Sequence, residues 1–341
     1  MTALLELRDR LKYFYSKNEV FILPVGKFLL AFILLTVVND KMGYMTRLDN
    51  IAIVLIAALA CSFLPNFFII LFGAAFSLLH MYALSFEIAI VGMVVYLLMF
   101  LLFFRFGPAD SLVVVLTPLL CCWKVPYIMP VAMGLLGTPA SAVSVGCGIV
   151  VYYLLLAVTT SAPTISTMNA GDATAKIRLV IDGLLDSKAM LVMLVAFAIT
   201  VVVVYLIRRM SIDYSWTIAM VAGVVLNLVI LLVGDLVYET NISVVGAILG
   251  NILALGVAKL IEFFRFCVDY SRTEKVQFED DEYYYYVKAI PKMTVAAPTK
   301  TVKHINTQRK ASGRYDNRSV GRGSTTARRP QESQDDYEEL F

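Results

Sequence analysis

Long apolar runs constrain this chain more than any other feature. A helix needs about 20 mostly apolar residues to cross roughly 30 Å of hydrocarbon. Val20–Val38, Phe86–Phe104, Thr138–Thr159, Ala189–Ile207, Ile212–Gly234 and Ile242–Phe266 each supply such a run. Shorter apolar pieces lie between them. Ile51–Leu64 and Asn66–Ser85 are divided by Pro65, and proline disfavours helical geometry in the residue before it, so these read as two spans in a tight hairpin. Asp110–Cys122 and Pro126–Gly137 are separated by Trp123 and Lys124. They read either as two short spans or as one re-entrant hairpin. The expected architecture is therefore an all-α integral membrane protein, a bundle of about ten transmembrane helices or of eight plus a re-entrant pair. Both counts are even.

Composition agrees. Apolar residues make up 59% and charged residues 16% of the 341 positions, against roughly 45–50% and 25% in soluble globular chains. Mean hydropathy is +0.76. Soluble multidomain, collagenous, wholly disordered and disulfide-scaffold classes are excluded. The five cysteines, Cys61, Cys121, Cys122, Cys147 and Cys267, lie in or beside apolar runs without histidine at metal-ligand spacing, and read as small hydrophobes. The first run has no clear small-x-small cleavage site after it, so it is expected to remain as an anchor.

Charge is concentrated at the two ends. The organisation read from it is a cytoplasmic amphipathic helix over 1–19, a polytopic domain over 20–266, a juxtamembrane segment over 267–293, and a disordered tail over 294–341 that is basic and then acidic. Leu4, Leu7, Leu11 and Phe14 recur at helical spacing among Glu6, Arg8, Asp9, Arg10 and Lys12, which suits a helix lying on a leaflet surface. Arg8, Arg10, Lys12 and Lys17 before the first span, Arg208–Arg209, and Arg265, Arg272 and Lys275 place both termini in the cytoplasm by the positive-inside rule. Lys41, Arg47, Lys124, Lys176 and Arg178 fall outside, partly offset by Asp40, Asp49 and Asp172. The external loop at 160–187 carries Ile177, Val180, Ile181 and Leu184 at i, i+3, i+4 and i+7, predicting a short amphipathic helix that either packs on the outer surface or covers a pore.

Small residues four apart mark helix–helix seams in lipid, where close approach replaces the hydrophobic effect. Gly246, Gly250, Ala254 and Ala258 form one such stripe, and Ala140, Ser144 and Gly148 another. A homo-oligomer interface would use the same chemistry. Polar groups at depth are costly, so Asn227 and Asn251 are candidates for either interhelical hydrogen bonding or substrate binding. His80, Glu87 and Asp235 lie near span ends and read as solvated at the interface. Lys27 is placed to extend its stem to the inner headgroups.

Gly107–Gly148 contains Pro108, Pro118, Pro126, Pro130 and Pro139 with Gly134, Gly137 and Gly146. Broken helices free backbone carbonyls, which survive in a membrane only against protein or a water-filled cavity, and such breaks frame substrate sites in transporters. Pro118 and Pro130 are therefore candidate substrate-binding positions. No phosphate loop, zinc helix or nucleophile elbow occurs, and no second intramembrane aspartate accompanies Asp235. No catalytic or metal-binding residue and no cofactor is assigned, and an enzyme is not expected.

After the last run, Val276–Phe278 and Tyr283–Ile290 could pair as a small hairpin about an acidic turn. From Lys300 to Arg329 basic residues face one acid, Asp316. This is a linker suited to the anionic leaflet, with no aromatic interleaving for nucleic acid. Glu332–Phe341 reverses sign and could dock on a cytoplasmic partner, an ATPase or an envelope protein. The run Tyr270-Ser-Arg-Thr-Glu-Lys-Val-Gln-Phe-Glu-Asp-Asp-Glu-Tyr-Tyr-Tyr-Tyr-Val-Lys-Ala-Ile-Pro-Lys-Met293 resembles one in uncharacterised polytopic membrane proteins of Gram-positive, Clostridia-type bacteria that are labelled permease-like. The resemblance implies a bacterial cytoplasmic membrane and carries no site residues. The functional expectation is a transport-type subunit for a small solute without its own ATPase. The alternative is a non-transporting envelope scaffold that recruits proteins through its tail.

Overall fold

A computed structural model of the chain describes residues 2–168, 172–240, 243–265, 274–280 and 282–290. All fall within one compact unit, Met1–Val295. The basic-then-acidic tail over 294–341 and Cys267 lie outside the described residues.

The surface helix α1 (Thr2–Lys17) leads into α2 (Glu19–Met42), α3 (Ile51–Phe63), α4 (Phe67–Leu84) and α5 (Phe86–Phe106). Two short helices follow, α6 (Ser111–Cys122) and α7 (Ile128–Leu136), then α8 (Ser141–Thr167), α9 (Ala173–Leu185), α10 (Lys188–Arg208), α11 (Ser215–Tyr238) and α12 (Val244–Arg265). Seven of these, α2, α4, α5, α8, α10, α11 and α12, are long and apolar enough to cross a bilayer, which makes this a multi-pass membrane protein. An antiparallel pair, β1 (Glu274–Glu279) and β2 (Tyr284–Ala289), closes the described chain.

Helix boundaries follow local chemistry. The side chain of Asn50 accepts from the Ala52 N–H at the start of α3, and Ser187 accepts from Met190 at the start of α10, each satisfying a donor that the first turn leaves open. Leu64–Pro65 stops α3, with Leu64 extended. Gly43 ends α2 in the left-handed conformation, φ +58°, where a side chain would be strained. Helix α8 departs from expectation. It continues through Pro163 to Thr167, so the first eight positions of the expected external loop are helical. Pro163 costs α8 only one backbone bond near its end.

Contacts between neighbours fix which helix ends lie together. Arg8 sits 5.9 Å from the Phe263 ring. Lys27 reaches Leu64, Phe67 stacks on Phe103, Gly107 packs against Ser144, and Arg208 binds Leu135 and Gly137. The start of α2 and the ends of α3, α5, α7, α10 and α12 therefore share one end of the bundle with the start of α8. Both outer ends of the α6–α7 pair lie there too. At 1.5 Å per residue, the 12 residues of α6 and 9 of α7 reach only about 18 and 14 Å.

The pair divides two packed cores. Helix α6 lies on α8 and α4, whereas α7 is wedged among α10, α11 and α12. Val131, Leu135, Val204, Trp216, Ala219, Met220 and Ala258 form the core about α7. A Cβ at Gly134 would stand 2.5 Å from the Val204 Cβ, so only glycine admits this approach. The larger core spans α2–α6 and α8–α10 and takes in Met129 of α7, Leu231 of α11 and Ala247 and Ala254 of α12.

A candidate solute cavity beside the broken helix

A cavity of about 260 Å³ lies within the larger core, walled by α2, α4, α5, α6 and α8. It runs from Phe103 and Val114, near the end of the bundle that carries Arg208, to Lys41, Lys124 and Thr159 toward the other end. Its wall is mostly apolar. The polar exceptions are few. Tyr96 donates its hydroxyl to Ser77, 2.7 Å away, and Ser77 donates on to the Ala74 carbonyl. Pro118 lines the cavity and has no N–H, so it cannot donate to the Val114 carbonyl one turn back. Thr117, beside it, turns its hydroxyl to the Val113 carbonyl at 2.7 Å. Helix α6 thus lacks one backbone hydrogen bond where it meets the cavity.

Close packing holds α6 in place. A Cβ at Gly148 would fall 2.5 Å from the Cβ of Thr117, so α8 presents a groove to α6. The turn after α6 carries Trp123 and Lys124. Lys124 adopts φ +62°, an unusual conformation for a residue with a side chain. Lys41, in the last turn of α2, lies close enough to Cys122 for the two to interact electrostatically. Neither lysine has a hydrogen-bond or ion-pair partner among the described residues.

The candidate residues do not form a single site. Pro118 lines the cavity, whereas Pro130, Asn227 and Asn251 do not. Pro130 is buried in α7. Asn227 and Asn251 are 0% and 1% exposed and bind one another. The Asn227 amide donates to Asn251 Oδ1 at 2.9 Å, and the Asn251 amide donates to the Ala247 carbonyl. They clasp α11 to α12. The Asn227 side-chain oxygen has no partner among the described residues. Along α12 the buried stripe is Ala247, Gly250, Asn251, Ala254 and Ala258, while Gly246 is half-exposed. Gly250 packs on the Tyr127 ring at the start of α7. In α8, Ser144 and Gly148 are buried and Ala140 is half-buried at the helix cap.

Three polar groups have partners that spacing did not reveal. His80 is 0% exposed rather than solvated. The Met45 N–H donates to His80 Nδ1, so Nε2 carries the proton and donates to Asn39 Oδ1 at 2.9 Å. Asn39 in turn donates to the Leu48 carbonyl at 2.6 Å. This chain fastens the α2–α3 turn onto α4. Lys27 donates to the Leu64 carbonyl at 3.2 Å instead of reaching for headgroups. Arg208 donates to the Leu135 carbonyl and, at 2.8 Å, to that of Gly137, with Trp216 and Tyr205 against its guanidinium. Each cation closes the carbonyl end of a short helix, where charge and dipole favour it. Glu87 accepts from Ser85, and Asp235 from Thr240 at 2.7 Å.

Compared with models of known families, with curated proteins and with solved structures, the chain matches none.

Proposed function

We propose that this chain is a transport-type membrane protein, without an ATPase of its own, whose solute passes through the cavity beside α6. The observation that carries this reading is the coincidence of a cavity of about 260 Å³ with the short helices α6, interrupted in its hydrogen bonding at Pro118, and α7. Non-helical backbone at membrane depth is tolerated where it borders a cavity, and discontinuous helices frame the binding sites of many transporters. The apolar wall favours an apolar or amphiphilic solute over a polar one.

In this reading the α6–α7 pair enters and leaves on one side as a re-entrant hairpin, leaving eight crossings if α3 completes one. The end bearing Arg10, Lys12, Lys17, Lys27, Arg105, Arg208, Arg209 and Arg265 is cytoplasmic. Lys41, Arg47, Lys124, Lys176, Arg178 and Lys188 lie toward the other face, among Asp40, Asp49, Asp172, Asp182 and Asp186. The positive-inside rule favours this orientation. A bacterial cytoplasmic membrane accords with the resemblance of the juxtamembrane run, and a cytoplasmic partner for the acidic end would complete the assembly. The scaffold alternative draws on one feature, an uncovered hairpin face on which Phe278 stacks on Tyr285 at 4.9 Å.

Two-sided access tests the reading. Phe103 lines the cavity and is buried. With the native cysteines replaced by alanine, Phe103→Cys in inside-out vesicles is expected to react with a membrane-impermeant maleimide. A second variant, Thr159→Cys, is expected to react from the opposite face in intact cells. Reaction from one face only, at both positions, would leave a closed-ended cavity and favour the scaffold.

A further inference from the structure

We infer that the cavity holds an amphiphile with one apolar chain and an anionic headgroup, the head lying between Lys41 and Lys124. This deepens the reading above and rests on the cavity being a solute site. Three observations converge. The wall between Phe103 and Leu155 is apolar over most of its area. Its volume, about 260 Å³, falls just below the roughly 300–1,000 Å³ of sites for compact drug-sized ligands, which suits a slender chain. The two lysines that line it stand together toward one end, and neither has an anionic partner among the described residues.

The chemistry selects one class of occupant. A polar solute would leave its hydrogen-bonding groups unpaired against Val115, Leu119 and Leu155, a cost that apolar walls cannot offset. A neutral hydrocarbon would gain little on leaving lipid, which is as apolar as the cavity. An anionic head changes the balance, because a charge-assisted bond from an ammonium to a phosphate or carboxylate oxygen is about twice as strong as a neutral one. The unusual backbone of Lys124, φ +62°, fits this role, since strained backbone tends to persist where it positions a ligand group. Lys41 and Lys124 are both exposed, so the pair is open to a head that enters from the membrane surface. Phosphate and carboxylate heads share this chemistry.

The test uses the full chain in nanodiscs of zwitterionic phosphatidylcholine. Three photoreactive probes share one sixteen-carbon chain with a mid-chain diazirine: hexadecanoate, hexadecyl phosphate and hexadecanol. Crosslinked positions are mapped by peptide mass spectrometry. At least one acid is expected to label cavity residues of α6 and α8 roughly tenfold more than the alcohol, the factor that one charge-assisted bond supplies. All three should label the lipid-facing residues Leu98 and Leu101 equally. Lys41→Gln with Lys124→Gln should bring acid labelling of the cavity down to the alcohol level. Both side chains are exposed, so this variant is expected to fold. Val151→Trp, or the milder Leu155→Phe, should abolish cavity labelling while the lipid-facing control persists. Inorganic phosphate at matched concentration should not compete. The inference is overturned if the alcohol labels the cavity as well as both acids do, if the double lysine variant labels normally, or if free phosphate competes. Head-selective labelling with access from one face only would sink transport and leave this inference standing. Access from two faces without head selectivity would do the reverse.

Discussion

Asn227 and Asn251 show what one polar residue does inside a membrane bundle. Each would be costly alone, yet they share one hydrogen bond, and Asn251 adds a second to the Ala247 carbonyl. Interhelical bonds of this kind are worth about 0.6 kcal/mol on average and up to about 1.7. Asn251→Leu removes the acceptor and strands the Asn227 amide beside an oxygen that already lacks a partner. We expect it to destabilise the protein in detergent by about 1–2 kcal/mol. Asn227→Leu with Asn251→Leu should cost less than the sum of the single changes, because no amide is left unpaired. Denaturant titration of the four proteins checks this, and additive losses would mean the two amides do not act together. His80 behaves similarly. Its two nitrogens join Met45 and Asn39 across 35 and 41 residues of sequence, and nothing in the local pattern around His80 signals either partner. Lys27 was equally illegible, since a lysine about two turns into a span looks the same whether its head meets lipid phosphate or the Leu64 carbonyl.

At the scale of elements, the runs and breaks were plain in the sequence, because length and proline decide where a membrane helix begins and stops. The rotation of each helix was not. With lipid on one side and apolar protein on the other, a span has no polar face to fix its setting. The contact stripe of α12 therefore runs through Ala247 rather than Gly246, one residue from the small-residue pattern. Pro163 similarly failed to end α8. Short helices need closure that long ones do not, and Arg208 closes α7. Arg208→Met keeps the stem against Trp216 and removes the donors to Leu135 and Gly137. We expect it to lower the thermal midpoint by several degrees, as a loss of about 1–3 kcal/mol would, whereas Arg208→Lys should restore part of it. The β1–β2 hairpin carries its own dependence on pH. Backbone N–H groups of Glu282 and Tyr283, then the Tyr285 hydroxyl, hold the Asp280 carboxyl below its ordinary value. A depressed carboxyl stabilises the folded turn above its unfolded pKa of about 4 and loses that contribution as pH falls through the folded value. Amide exchange at Glu282 and Tyr283 in the full chain should accelerate below about pH 4, and Asp280→Asn should show fast exchange at neutral pH as well.

The whole molecule reads as two packed groups joined by a hairpin that belongs to both. Helix α6 is seated on the group that contains the cavity, and α7 is held by Gly134 against Val204 of the smaller core and, at its start, by Gly250 against Tyr127 of the larger one. Seven helices are long and apolar enough to cross, and the expected even count depends on α3 and on the depth of the hairpin, which composition does not give because a short span and a re-entrant helix read alike. Depth is measurable. Thr46, Ala109 and Ser211 are exposed in turns, and Lys124 is exposed at the hairpin tip. With the native cysteines removed, Thr46→Cys should react promptly with an impermeant maleimide in intact cells. Ala109→Cys and Ser211→Cys should react only after permeabilisation, the reverse pattern meaning that the molecule sits the other way up. Lys124→Cys should react from the outside but markedly more slowly than Thr46→Cys, because the reagent must descend to a tip that α6 carries only about 18 Å from its start. Equal rates at the two positions would mean that α6 and α7 cross the bilayer in full, and the cavity would then be a cleft between ordinary spans.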